Sequence, residues 1–413
     1  MAGSKGKRNQ HPMFKLGGVD IPFLILLFVL LAYGLVVVFS ASIPTSIAEH
    51  NGDASYLFRR QLMYAGIGIV LMFAFSQANM YYAKFLSKIA YGVGMLLLVT
   101  VLFIDDPQFP GFHRWIRFGG FSIQPSEIMK FCLILILAAV MDKYHSRIIG
   151  RGNSNGSIAN ALRQKTGVNF YVPESVYPIL LCGSLIVVPA FLVMLGNHNS
   201  GMILLMLVGV SMLFIGDFKK GWFITAAVII VVAVAAIFIL YETKPELLQQ
   251  IDSKGRIWAW LDKDYSPRDA RWQINNSLYA IGSGGLFGVG LGNSTQKYYY
   301  VSEPQNDMIF AILCEELGFV GAAAMLVLFA ALIYRGVVIG LKAKDRFSSY
   351  LAIGTVMQLG IQVVMNVAVA TDLIPNTGIG LPFFSYGGTS LIIFLVEMGV
   401  VLAISRESRM VKK

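Results

Sequence analysis

IPFLILLFVLLAYGLVVVFSAS, residues 21–42, decides the fold class. It is a continuous apolar run without a charged side chain. Coiled as a helix, it covers the ~30 Å of hydrocarbon that about 17–25 residues can cross. It is too long for a signal-peptide core and no cleavage site follows it, so it is expected to remain in the protein as a helix. Comparable runs recur at roughly 62–78, 86–104, 124–142, 176–195, 201–216, 221–241, 306–334, 348–370 and 389–405. Of the 413 residues 56% are hydrophobic and 14% charged, where soluble domains carry about 25% charged residues. Continuous runs, rather than strict alternation, exclude a β-barrel. The sequence reads as an all-α polytopic membrane protein, one integral membrane domain over 1–413 with about ten transmembrane helices.

Charge sets the orientation. With the N-terminus inside, the inner segments hold 21 lysines and arginines and the outer segments 11, while Lys130 alone lies within a span. Seven of those 11 fall in the long 242–305 loop, and long loops count weakly in the positive-inside rule. Both termini are therefore expected in the cytoplasm, as basic tails over 1–20 and 406–413. The net charge of +10 is topogenic on this reading, and no nucleic acid is expected as a partner. Cys132, Cys182 and Cys314 all lie in apolar runs without metal-type spacing, so neither a disulfide nor a structural zinc is expected. The sequence requires no cofactor, and it leaves dependence on a divalent cation open.

Two outer segments are more than connectors. Within 242–305, the stretch 247–273 mixes tryptophans with both charge signs, which suits a helix at the lipid headgroup level. The glycine-rich stretch at 282–292 follows it. No strand–turn–helix context surrounds those glycines, so close packing of a re-entrant segment is expected rather than nucleotide binding. The second segment, TDLIPNTGIGLPFFSYGGTS at 371–390, is too rich in proline and glycine for a regular helix. Irregular backbone near a bilayer must pack in protein or line a wet cavity.

Candidate chemistry gathers on three motifs. In EPQNDMIF, 303–310, a proline turn runs into an apolar helix that opens with Asp307. Two readings stand: a carboxylate favoured by the helix dipole, or a general base at the mouth of a membrane cavity. In QPSEIMK, 124–130, the proline and acid mark a helix start. Lys130 follows Glu127 at i+3, where it is either a local ion pair or, being a lysine in a span, a group facing a wet cavity. With Arg114 and Arg117 nearby, a cationic pocket for a phosphate-bearing ligand is one reading of this region. Glu315, Glu316 and Glu397 in spans are read as structural, and His198 as loop polarity.

Taken together, VFSAS (38–42), RRQ (59–61), RWI (114–116), IQPSEIMK (123–130), QINNSLYAIGSGGLFGVGLGNSTQK (273–297), EPQNDMIFAILCEELG (303–318) and PNTGIGLPFFSYGGTSL (375–391) resemble the shape, elongation, division and sporulation family of membrane glycosyltransferases. The division-type members fit better than the rod-shape members, and a sporulation paralogue is the neighbouring possibility. The resemblance implies helices around an outward-opening, lipid-accessible cavity. It implies polymerisation of lipid II, the undecaprenyl-pyrophosphate-linked disaccharide-pentapeptide, with release of undecaprenyl pyrophosphate. On this resemblance Asp307 is the catalytic base and Lys130 contacts pyrophosphate. The motifs place further substrate-binding candidates at Glu127, Arg114, Trp115, Gln124, Ser126, Arg59, Arg256, Gln273, Lys297, Ser385, Tyr386, Gly387 and Gly388. The implied partners are a class B penicillin-binding transpeptidase and other divisome membrane proteins, at the septum of a bacterial cytoplasmic membrane. Two other classes fit the physics: a lipid flippase or secondary transporter, and a non-catalytic scaffold. The sequence departs from the family at Gln305, Asn306 and Met308 around the aspartate and at Gly196–Gly201, which lacks the usual acid. Asp372 stands where glycine is common.

Overall fold

The computed structural model describes residues 18–104, 111, 113–118, 121–149, 176–218, 221, 235, 237, 239–243, 256–262, 270–298, 301 and 303–410. Three helices come first: α1 Ile21–Glu49, α2 Tyr56–Ser76 and α3 Met80–Val101. A two-stranded antiparallel hairpin follows, β1 Ile116–Phe118 and β2 Phe121–Ile123, with Arg117 opposite Ser122. Then come α4 Pro125–Ile148, α5 Val176–Leu195, α6 Asn199–Ile215, α7 Arg256–Leu261, α8 Ala270–Gly284, α9 Ile309–Leu341, α10 Arg346–Ala370 and α11 Gly388–Met410. Seven of these are long and apolar enough to cross a membrane. The chain is an all-α polytopic membrane protein. Nine of the ten expected spans coincide with helices, and the seventh, 221–241, lies largely outside the described residues.

Burial separates the helices into inner and outer ones. In α4 the whole run Leu133–Ala138 is buried, as is nearly all of α11 from Leu395 to Ile404. Helices buried on every side sit in the bundle core. By contrast α3 exposes Tyr81, Phe85, Leu96 and Val99, and α2 exposes Leu62 and Val70, apolar faces that suit contact with lipid tails. The N-terminus of α1 is fixed by Asp20. Its carboxylate accepts from the Phe23 amide at 3.1 Å and takes two bonds of 2.8 Å from the Arg335 guanidinium on α9.

α9 is broken where the sequence suggests one long helix. Gly318 has φ 66° and ψ −168°, a conformation that costs any residue with a Cβ. The break frees the carbonyls of Glu315 and Glu316 and the amides of Phe319 and Val320, which would have bonded one another. The glycine loop after α8 takes both sets. Val289 and Gly290 donate to the two carbonyls at 2.9 and 3.0 Å, and Phe319 and Val320 donate to Gly285 and Leu286 at 2.9 and 3.1 Å. A Cβ on Gly318 would lie 2.4 Å from the Gly288 nitrogen. The re-entrant packing expected of the 282–292 glycines thus takes the form of a loop inserted into an opened helix.

The stretch 247–273, expected outside, is described only from Arg256 to Asp262 and from Ala270. Ala259 and Arg271 in it are buried. Trp260 Nε1 donates to the Asp372 carbonyl at 3.2 Å, and Arg271 pairs with the Asp372 carboxylate at 2.8 Å. These residues pack on the irregular 371–390 loop. They also explain Asp372, whose φ of 59° aims it at α8.

Candidate active site

Asp307 does not open a helix. It stands in the turn 303–308, and α9 begins at Ile309 with Met308 as its cap and no side-chain cap bond. Asp307 is therefore not the cap itself but stands directly before it, with the Met308 amide close to its carboxylate. What holds the turn is a set of long-range bonds to three successive carbonyls. Gln305 O accepts from the Tyr386 amide at 2.8 Å. Asn306 O accepts from Ser385 Oγ at 2.5 Å, and Asp307 O from Asn366 Nδ2 at 2.7 Å. Asn366 Nδ2 also bonds Ile379 O at 2.8 Å, so one carboxamide on α10 joins the turn to the 371–390 loop. The irregular backbone of that loop is needed here: Gly378, at φ 67°, lets the chain pass with its Cβ position 3.7 Å from Asp307 Oδ2.

The Asp307 side chain is placed to accept a proton. The residue as a whole is half-buried, yet Oδ1 is enclosed and has no hydrogen-bond partner among the described residues. Burial raises its pKa from 3.8 to about 6, with Glu303 adding to the rise. Its own amide, Arg256 and the Met308 amide oppose it. A carboxylate poised near neutral pH suits general base work.

Asp307 lines a cavity of about 320 Å³. Arg114, Arg256 and Lys130 share its wall, as do Trp115, Gln124, Ser126, Glu127, Ser385, Tyr386 and Gly387. Arg114 stays a cation at neutral pH although burial, followed by Arg256, brings its pKa down to about 10. Lys130 is buried and pairs with Glu127 at 2.8 Å, with its ammonium 5.6 Å from the centre of the Phe394 ring. The local reading of that i+3 pair and the cavity reading both hold. The hairpin is tied to the start of α11 by Thr389 Oγ1, which donates to Ser122 O at 2.7 Å and accepts from the Gln124 amide at 3.3 Å.

Four of the substrate-binding candidates fall outside this cavity. Lys297 is buried, and its ammonium is fully used by Glu316 at 2.8 Å, Ser40 Oγ at 3.0 Å and Gly292 O at 2.7 Å. It is a structural cation that closes the turn after the inserted loop. Glu315 serves the same turn through Thr295 N at 2.9 Å and the Ser294 hydroxyl, in keeping with a structural role for both glutamates. Arg59 is exposed and pairs with Asp53. Gln273 accepts from Asn376 Nδ2 at 2.8 Å. Gly388 abuts the Tyr64 ring, 2.8 Å from where its Cβ would stand. In the other direction the cavity includes His198, Ser200, Gln362 and Gly378, which motif reading passed over. The signal for Gln362 was its place in an apolar span four residues from both Gln358 and Asn366. His198 is more than loop polarity: it lines the cavity and contacts Ser126 Oγ at 3.4 Å.

Spanning helices around a cavity lined by the carboxylates of Asp307, Glu127 and Glu303 and by the cations of Arg114, Arg256 and Lys130 define an integral membrane protein with a charged internal site. Comparison with known proteins narrows the class. The family model described as "Cell cycle protein", covering FtsW, RodA and SpoVE, matches residues 21–410. The chain is 36% identical over 394 residues to stage V sporulation protein E of Bacillus subtilis, covering 94% of this chain and 98% of that one. It is 34% identical over 383 residues to the probable peptidoglycan glycosyltransferase FtsW of Coxiella burnetii, covering 92% and 94%. Among solved structures it superposes on a chain of a peptidoglycan synthase complex described as coordinating polymerization and crosslinking. That match has a TM-score of 0.71 and 22% identity over 95% of this chain and 99% of the other. It also superposes on the rod shape determining protein RodA of Thermus thermophilus, with a TM-score of 0.64 and 24% identity over 95% and 98%. These two share the fold. The chain belongs to the FtsW/RodA/SpoVE family.

Proposed function

We propose that this protein is a peptidoglycan glycosyltransferase that polymerises lipid II, with Asp307 as its general base. The observation that carries the reading is the enclosed, unpartnered Asp307 Oδ1 on the same cavity wall as Arg114, Arg256 and Lys130. A sugar hydroxyl of one lipid-linked molecule attacks the anomeric carbon of another. Its proton passes to Asp307, the new C–O bond forms with inversion, and the bond from that carbon to the pyrophosphate oxygen breaks. The departing undecaprenyl pyrophosphate carries negative charge, which guanidinium and ammonium groups neutralise most strongly where water is scarce. General base catalysis is worth ~10²–10⁴-fold in such a step.

The relatives span division and sporulation, and we assign this chain to septal or spore wall synthesis in a bacterial cytoplasmic membrane. The charge split of 21 to 11 supports an orientation with both termini inside. The structural neighbour acts in a complex that couples polymerisation to crosslinking, and by extension a class B transpeptidase is the partner here, alongside other divisome membrane proteins.

The test is Asp307→Asn, nearly isosteric, assayed in detergent for gel-resolved polymer from labelled lipid II. Wild-type protein should form glycan, and the variant should form none while remaining folded. Polymerisation by the variant at the wild-type rate would refute the base assignment. Absence of polymer from folded wild-type preparations would favour a flippase or a scaffold, since neither needs to join sugars.

A further inference from the structure

α10 carries a stripe of carboxamides at Gln358, Gln362 and Asn366, spaced so that all three share one helix face. The two ends of the stripe are paired. Gln358 Nε2 donates to Glu397 at 2.9 and 3.2 Å, and Asn366 holds the Asp307 and Ile379 carbonyls. Only their nitrogens are paired, since Gln358 Oε1 and Asn366 Oδ1 find no donor among the described residues; what sets the middle one apart is its place on the cavity wall. Gln362 is 3% exposed and lines the cavity that holds Asp307. Its Oε1 is enclosed without a hydrogen-bond donor. Asn306 Oδ1 and Asp307 Oδ1, on residues of the same cavity wall, are in the same condition. A buried acceptor left without a donor is costly, and native proteins retain few of them.

We infer that Gln362 is a substrate-recognising residue, whose carboxamide oxygen accepts a hydrogen bond from a hydroxyl or acetamido N–H of the lipid-linked disaccharide. The chemistry of the unpaired atoms selects the sugar and not the pyrophosphate. An ionised phosphate ester brings acceptors only, which the three cations satisfy and an acceptor oxygen would repel. A saccharide brings the donors that the three enclosed oxygens lack. Gln362 stands two turns inward from the end of α10 at Ala370, with Asn366 between it and the carbonyl of Asp307. The carboxamide therefore orients the sugar from within the bundle while the carboxylate meets it from the outer side. A site with hydrogen-bonding groups placed this way discriminates against ligands that lack the matching group.

The inference rests on the polymerase reading, and one variant separates the two. Gln362→Met keeps the volume and removes the acceptor. The KM for lipid II should rise about 3–10-fold, the usual consequence of losing a neutral hydrogen bond, with kcat changed less. The midpoint of thermal unfolding without substrate should stay the same or rise, because the variant deletes an unsatisfied buried group. Gln362→Asn, one methylene shorter, should give an intermediate KM. A KM for Gln362→Met within twofold of an active wild type would overturn the inference, leaving the amide with only water to bind. A fall in the unfolding midpoint, or failure to fold, would overturn it as well, since that is the mark of a packing residue. A wild-type protein that makes no glycan would defeat the polymerase reading itself.

Discussion

If Asp307 is the base, its raised pKa sets the pH profile of the enzyme. Burial moves this carboxyl from 3.8 to about 6. For a base of that pKa, roughly nine-tenths is ionised at pH 7 and about one-tenth at pH 5, so the rate should fall about tenfold between them. A carboxylate at its ordinary 3.8 would lose almost nothing over the same interval. The measurement is the initial rate of glycan formation at saturating lipid II from pH 5 to 8, with protein integrity monitored in parallel. Replacing Arg256, which holds the pKa down, by glutamine should move the rising limb to higher pH. The same shift has a stability signature. Because the folded state disfavours the ionised form, Asp307 costs nothing below the unfolded pKa, and its cost grows as pH rises to about 6. The gap between 3.8 and about 6 corresponds to roughly 3 kcal/mol. Asp307→Asn should therefore be more stable than wild type above pH 6 by up to about that amount, and the difference should shrink towards pH 4. A rate flat down to pH 5, or an Asn variant less stable at pH 8, would refute the reasoning.

Two further outcomes follow from the packing. Lys297→Met leaves Glu316 buried beside Ser40 without its cation, and breaking such a pair costs about 3–5 kcal/mol. Thermal unfolding should show a large loss, partly recovered by adding Glu316→Gln; an unchanged midpoint would return Lys297 to the list of ligand-binding candidates. Gly318→Ala places a Cβ 2.4 Å from the Gly288 nitrogen at a positive φ, a strain of about 1–3 kcal/mol before any clash. It should lower both stability and polymerisation, and a neutral result would mean that the break in α9 relaxes without cost.

The spans were legible because continuous apolar runs of the right length have few alternatives in a membrane. The start of α4 was equally plain, since Gln124-Pro125 with Glu127 supplies the local chemistry of a helix beginning, and the helix does start at Pro125. The site was legible in part. Motifs brought Asp307, Lys130, Arg114, Arg256 and the 385–387 segment to one cavity, though 114–387 spans most of the chain. What escaped was pairing at a distance. Nothing in the spacing says that Lys297 meets Glu316 and Ser40, or that Asp372 meets Arg271, because those partners are set by how the outer loops fold back. The break in α9 escaped for a related reason: hydropathy counts apolar residues and is blind to which carbonyl an amide serves. Gln362 and Asn366 escaped because an uncharged amide barely disturbs an apolar run.

The exchange of hydrogen bonds at Gly318 amounts to a splice. The first piece of α9, from Ile309 to Leu317, is stitched to the 285–290 loop by two hydrogen bonds and the piece after the break by two more, and the turn bearing Asp307 is continuous with the first piece. Mechanically, Asp307 is mounted on a composite block of loop and half-helix, and Asn366, Ser385 and Tyr386 bolt its turn to α10 and to the 371–390 loop. On the assignment proposed above, the carboxylate is a tethered post, and a growing polymer has to thread past it while the post stays anchored on both sides.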